Sequence, residues 1–194
     1  MTISIAVLCS GGGRTAINLL DQIHEGHLEA EIVLAIASKH GIAAIDLLTE
    51  RNVEVAIARQ PEDSIAIGDA NVEVWLDEYK PDLICLCGYL RLIHIKPWME
   101  GRVLNIHPSL LPKYGGKGMY GTSVHEAVKQ NNEVETGCTV HFVDSEYDHG
   151  PHVLQKSCSV AQSDSIEGIA EKVFKLECEA YPEAIRQVVE QLRV

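Results

Sequence analysis

The sequence predicts an α/β protein: a Rossmann-like, mostly parallel twisted sheet with helices on both faces, an antiparallel C-terminal addition and a long C-terminal helix. Two observations carry that expectation. Short, unbroken apolar runs alternate with segments of helical periodicity, which is how strands covered on both faces read. The first run, Ile3–Cys9, also ends in Ser10-Gly-Gly-Gly13 and leads straight into a helical segment, a tight strand-to-helix turn.

The elements follow in order. Thr15–His24 carries apolar residues at Ile17, Leu20 and Ile23, a spacing of three that suits a helix face. Glu31–Ala37 reads as a second strand and Gly41–Arg51 as a second helix. Val53–Ala58 is the third strand, and Ile67–Tyr79 the third helix after an acidic, proline-bearing loop. Leu83–Cys87 and Val103–His107 are strands four and five. After Pro108 the pattern changes. Tyr114–Gly121 is glycine-rich and is expected to be a mobile loop, and Thr122–Asn131 is a helix capped by Thr122 or Ser123. Gly137–Val143 and His152–Val160 are two strands flanking a polar loop, which suits an antiparallel pair. Ser163-Asp164-Ser165 caps the long last helix, with an interruption expected near Tyr181-Pro182. With no repeats or linkers, residues 1–194 are expected to form one domain, and that length suffices for a full core.

Bulk properties narrow the function. A formal net charge of −12 disfavours nucleic acid and anionic membranes as partners. No apolar run approaches the roughly 18–20 residues that span a bilayer, and the start lacks the basic region of a signal peptide. The six cysteines sit in apolar stretches without Cys-x-x-Cys spacing, as expected of reduced thiols in a cytoplasmic protein. His141, His149, His152 and Cys158 match no zinc-ligand spacing, so no metal is expected.

Two motifs carry chemistry. Gly11-Gly-Gly13-Arg14-Thr15-Ala16 fits the G-x-G-x-x-A form, where unpaired amides at a helix start attract phosphate. The second strand ends Ala37-Ser38-Lys39, without the acid that would hold a dinucleotide ribose, and the loop lacks the Lys-Ser/Thr of a P-loop. Gly11, Gly13, Arg14 and Thr15 are therefore a candidate phosphate cradle. The competing reading is that the glycines only permit close helix–strand packing. The second motif is Leu104-Asn-Ile-His-Pro-Ser-Leu-Leu-Pro112. On a strand, Asn105 and His107 project to the same side, placing an amide donor and an imidazole at one pocket mouth. Such a pair suits acyl transfer, the amide stabilising an oxyanion while the imidazole moves a proton.

Val140-His-Phe-Val143 and Asp148-His-Gly-Pro151 follow about forty residues later, and Leu176-Glu177 precedes Tyr181-Pro182. With the glycine turn and the Asn105-x-His107 pair, these segments resemble the folate-dependent glycinamide ribonucleotide formyltransferases of purine synthesis. The likeness covers nearly the whole chain and is looser in its first hundred residues. It implies transfer of a formyl group from the cosubstrate 10-formyltetrahydrofolate to the glycine amine of a ribonucleotide, with Asn105, His107 and Asp148 as the catalytic set. It further implies that Gly11, Gly13, Arg14 and Thr15 hold the substrate phosphate, where the family commonly has Ser-Asn in place of Arg14-Thr15, and that Glu177 contacts the ribose. Leu90-Arg91-Leu92-Ile93, with Asn105, would line the folate site. Phosphate binding would then fall to about residues 1–100, and catalysis and folate binding to about 101–194.

One departure stands out. The family usually carries Ser-Arg before the third helix, the arginine helping to hold folate, and this chain reads Asp63-Ser64-Ile65. Arg91 or a lysine of the glycine-rich loop are the substitutes to consider. Asp144 rivals Asp148, but the spacing to Gly150-Pro151 favours Asp148. The same Asn–His–Asp set serves formyltetrahydrofolate deformylases, methionyl-tRNA formyltransferases and sugar-nucleotide formyltransferases. The first two usually carry an additional domain, and the third should lack the Gly11–Gly13 turn. A non-catalytic nucleotide-binding module would leave the Asn105/His107/Asp148 set unexplained.

Overall fold

A computed structural model describes residues 2–192. Its elements are β1 (Ile3–Cys9), α1 (Arg14–His24), β2 (Ala30–Ala37), α2 (Ala43–Thr49), β3 (Val55–Ile57), α3 (Ile65–Tyr79), β4 (Leu83–Leu86), β5 (Val103–His107), α4 (Thr122–Gln130), β6 (Glu135–Phe142), β7 (His152–Ser159) and α5 (Ile166–Leu192). The strands are hydrogen-bonded in the order β3-β2-β1-β4-β5-β6-β7. Two compact units divide at Leu104/Asn105.

In the first unit β1 runs parallel to both β2 and β4, and β2 runs parallel to β3. An interior strand has no wet face, and Ile5, Ala6, Val7 and Leu8 are accordingly fully buried. The expected third strand, Val53–Ala58, contracts to Val55–Ile57 because only Ala35–Ala37 of β2 lie opposite it. Similarly, α2 is shorter than Gly41–Arg51. Gly41, at φ 76°, and Asn52, at φ 61°, hold left-handed conformations that a helix cannot continue through. Ser64 caps α3 by accepting from the Ile67 amide at 3.3 Å, which starts the helix two residues before the expected Ile67.

In the second unit β6 and β7 pair antiparallel, with Thr139 opposite Gln155 and His141 opposite His152. The chain leaving β5 is tied to β6 through one buried hydroxyl. Thr139 Oγ1 donates to the Ser109 carbonyl (2.7 Å) and accepts from the Leu111 amide (3.1 Å) and from Gln155 Nε2 (2.8 Å). That satisfies the hydroxyl's donor and both lone pairs and fixes where the chain goes after His107. Two helix ends differ from expectation. Gly121 at φ 55° precedes α4, which has no side-chain cap, so the turn is made by backbone freedom and not by Thr122 or Ser123. Helix α5 runs unbroken through Pro182, although the sequence suggests an interruption there. Ala180, Tyr181, Ala184 and Ile185 are fully buried around it, and this packing offsets the one backbone hydrogen bond a proline removes. Ser165 does cap that helix, accepting from the Gly168 amide at 3.0 Å.

Candidate functional site

Strand periodicity places Asn105 and His107 on one side of β5, and the structure brings Asp148 to both. Asn105 Nδ2 donates to Asp148 Oδ1 at 3.3 Å, and His107 Nδ1 lies 3.4 Å from Asp148 Oδ2. The imidazole is buried and the carboxylate side chain is only 10% exposed, so their attraction is little screened by water. His107 Nε2 donates to the Tyr114 carbonyl at 2.7 Å, so each ring nitrogen faces a group that only accepts. Gly116 N donates to Asp148 Oδ2 at 2.9 Å. The start of the glycine-rich loop is therefore anchored, where the sequence suggests a mobile segment. Tyr114 Oη and Lys113 Nζ add contacts to Glu133 at 2.9 and 2.8 Å.

Burial alone would raise the pKa of Asp148. The His107 imidazole beside it and the Gly116 amide act oppositely and prevail, holding the carboxyl well below the usual range. Asp148 adopts φ 55°, a left-handed conformation that Asp and Asn tolerate better than most residues. Asp144 instead pairs with the exposed His149 at 2.8 Å. That pairing raises the pKa of His149.

Three participants escape a motif reading. His141 on β6 reaches the cluster, its Nε2 lying 3.1 Å from Asn105 Nδ2. Its place in the Val140-His-Phe-Val143 segment is the available signal, since a strand that buries a histidine needs a partner for it. His125, buried on α4, has an Nδ1 without a partner among the described residues. Burial first, and then the nearby His107, push its pKa down. The backbone groups of Tyr114 and Gly116 leave no side-chain signature at all.

Gly150 explains why Asp148-x-Gly is a unit. A Cβ there would lie 1.9 Å from the Phe142 carbonyl oxygen, so only glycine permits this approach of two backbones. Gly150→Ala is expected to destabilise the protein by about 3 kcal/mol or more through forced separation. A urea titration showing less than about 1 kcal/mol of loss would refute that.

In the first unit, Gly13 at φ 75° caps α1 without a side chain, and the Ile17 amide donates to its carbonyl at 3.0 Å. A Cβ on Gly13 would meet Ala44 Cβ at 2.7 Å, so the packing role of this glycine is real, while Gly11 and Gly12 open onto empty space. Gly13→Ala should cost roughly 2–4 kcal/mol from left-handed strain and overpacking, measurable by denaturation. Arg14 and Thr15 form the first turn of α1, where no acidic side chain competes for the helix start. The segment Leu90-Arg91-Leu92-Ile93 is irregular and adjoins this loop: Leu90 N donates to Ser10 Oγ at 3.1 Å, and Ser10 N to the Gly88 carbonyl at 3.1 Å. Leu90 and Leu92 are each 44% exposed and Ile93 is buried. The Arg91 guanidinium is engaged by both carboxylate oxygens of Asp69, and Ile65 is exposed. Glu177 is half-buried on α5. It lies in electrostatic reach of Cys138, whose thiol burial first and Glu177 second push up to about 12. Among the described residues no group of three His, Cys, Asp or Glu side chains is placed to hold a metal ion, and no helix is long and apolar enough to cross a membrane.

Comparison with known proteins gives one consistent picture. The Formyl transferase family model matches residues 3–185. The chloroplastic phosphoribosylglycinamide formyltransferase of Arabidopsis thaliana is 33% identical over 193 residues, covering 96% of this chain and 65% of that protein. The trifunctional purine biosynthetic protein adenosine-3 of Bos taurus is 32% identical, covering 95% of this chain and 18% of that one. This chain thus spans less than two thirds of these relatives. Among solved structures, glycinamide ribonucleotide transformylase 1 of Symbiobacterium toebii superposes with TM-score 0.84 at 31% identity, covering 98% of this chain and 89% of that one. The phosphoribosylglycinamide formyltransferase of Brucella melitensis gives TM-score 0.84 at 31% identity, covering 96% and 95%.

Proposed function

We propose that this chain, which belongs to the formyl transferase family, transfers a formyl group from 10-formyltetrahydrofolate to the glycine amine of N1-(5-phosphoribosyl)glycinamide in de novo purine (IMP) biosynthesis. The observation that carries the reading is the Asn105–His107–Asp148 cluster, closed at 3.3 and 3.4 Å in a family of formyl-group enzymes. The names of the relatives support the acceptor.

The reaction makes a bond between the amine nitrogen and the formyl carbon and breaks the bond from that carbon to N10 of the donor. Negative charge grows on the formyl oxygen during attack, and the His107 Nε2–H, which donates to the Tyr114 carbonyl in the free protein, turns from that carbonyl to stabilise it. The proton lost by the amine must finally reside on N10, and His107 is the group that relays it. Asp148 orients the ring and balances its charge while it carries that extra proton. Gly11, Gly13, Arg14 and Thr15 hold the ribonucleotide phosphate, with amides at the start of α1 and the Arg14 cation supplying local attraction in a chain of net charge −12. Glu177 contacts the ribose. The irregular Leu90–Ile93 segment offers exposed leucines and backbone groups to the flat pteridine. Because Asp69 already fills the Arg91 fork, Arg91 contributes to this site through its backbone.

Only small molecules are required as partners, and six free cysteines fit a reducing cytoplasm. The experiment is formyl transfer with purified protein and 10-formyltetrahydrofolate, with and without the ribonucleotide, following tetrahydrofolate release. Release that depends on the ribonucleotide is expected. Release without it would replace transfer by hydrolysis, and no release would turn attention to sugar-nucleotide amines as acceptors.

A further inference from the structure

We propose that His141 is a positioning residue that turns the amide of Asn105 so that its carbonyl oxygen, and not its N–H, faces the reacting centre and accepts a hydrogen bond from the incoming amine. The proposal rests on the formyl-transfer reading for the identity of that amine, but the hydrogen-bond argument beneath it does not.

The argument starts from a group with no choice. The Phe142 carbonyl can only accept, and His141 Nδ1 lies 2.8 Å from it, so Nδ1 carries a proton. In the neutral ring Nε2 then has a lone pair and no proton. Nε2 sits 3.1 Å from the Asn105 amide, which must present its NH2 there. Asp148 imposes the same orientation independently, because a carboxylate only accepts and its Oδ1 lies 3.3 Å from Asn105 Nδ2. Turning the amide over would set its oxygen against the Asp148 oxygen and against the Nε2 lone pair together. Both hydrogens of the amide are thereby committed within the protein.

What remains is Asn105 Oδ1, which has no partner among the described residues and is not among their buried unpartnered atoms. Asn105 is also the only half-buried residue of β5, its neighbours being buried. An acceptor open to the outside, beside His107 on the same strand face, is matched by the amine, which is the donor among the reacting groups. The hydrogen bond directs an N–H toward Oδ1 and so aims the lone pair elsewhere, and it strengthens as positive charge develops on nitrogen during attack. No proton passes to the amide. The formyl oxygen, an acceptor, finds no N–H on Asn105 and depends on His107. The sequence motif alone suggests the opposite role, Asn105 as an oxyanion donor.

His141 is 2% exposed and fixed between strands, so its variants need a readout beyond activity. Nitrogen-15 NMR of the histidine rings in the wild-type protein near neutral pH supplies one. A proton on His141 Nδ1 with a bare Nε2 is the expected result. A proton on Nε2, including a doubly protonated ring donating to Asp148 Oδ1 at its present 3.7 Å, overturns the proposal. The kinetic arm compares His141→Leu with His141→Gln, whose side-chain oxygen can accept from Asn105. In His141→Leu kcat should fall about 10–100-fold, the rate equivalent of one misdirected hydrogen bond, with KM for both substrates nearly unchanged. His141→Gln should recover most of that loss. Equal losses in the two folded variants, or a loss carried by KM, would count against the assignment. If the wild type transfers no formyl group at all, the function reading fails while the NMR result still decides the orientation.

Discussion

Replacing His107 by alanine is expected to reduce turnover about a thousand-fold while leaving a folded protein. The imidazole is asked for two services, stabilising charge on the formyl oxygen and delivering a proton to the leaving nitrogen, and among the described residues no other group is placed to provide either. Asn105 has both amide hydrogens engaged by His141 and Asp148. His125 lies nearby, but burial disfavours its charged form. Folding should survive because Asp148 keeps the Gly116 amide and Asn105 as hydrogen-bond donors when the ring is gone. A cost of about 1–2 kcal/mol is expected from the lost contacts in a buried site. Steady-state turnover and a denaturation curve on the same preparation check both halves. A variant retaining more than about a tenth of the wild-type rate would remove His107 from the chemistry, since general acid–base groups contribute at least about a hundred-fold.

Much of this site is legible in the sequence, and the reason is local. Asn105 and His107 lie two apart on one strand, so a period-2 backbone puts them on one face without help from the rest of the fold. The step to Asp148 needed the motif likeness, because nothing local says that a turn forty residues on will return to that face. The features that stayed hidden depend on tertiary packing or on the backbone. Pro182 reads as a helix breaker, and only the burial of Ala180, Tyr181, Ala184 and Ile185 around it shows why α5 continues. Gly121 reads as loop material, and its φ of 55° is what makes it, in place of Thr122, the start of α4. The Tyr114 carbonyl and Gly116 amide that close the cluster belong to groups every residue possesses, so no residue type announces them. His141 stood in view among several histidines, but its task follows from hydrogen-bond directions and not from spacing.

Asp148→Asn isolates charge from shape. Asparagine has nearly the same volume and tolerates the left-handed conformation at φ 55°, so the turn through Gly150 should persist. The variant cannot reproduce the hydrogen bonds, however. Asp148 Oδ1 accepts from Asn105, and Oδ2 accepts from Gly116 N and faces His107 Nδ1. A single amide oxygen can serve only one side, and the NH2 group on the other meets a donor. With His107 no longer oriented or balanced, turnover should fall about a hundred-fold or more. The pH dependence of stability gives a second, independent reading. The carboxyl is held below its ordinary value of about 3.9 in the folded state, so the unfolded chain takes up the proton first as pH falls. Its contribution is therefore fully present above about pH 4–5 and is lost as pH drops through the depressed folded value. The stability gap between wild type and Asp148→Asn should be wide at pH 7 and shrink below about pH 4, where the wild type loses what the variant never had. Denaturation midpoints for both proteins across that interval make the test. A gap that stays constant would mean the carboxylate gains nothing from its buried partners, and its place in the catalytic cluster would lose its electrostatic basis.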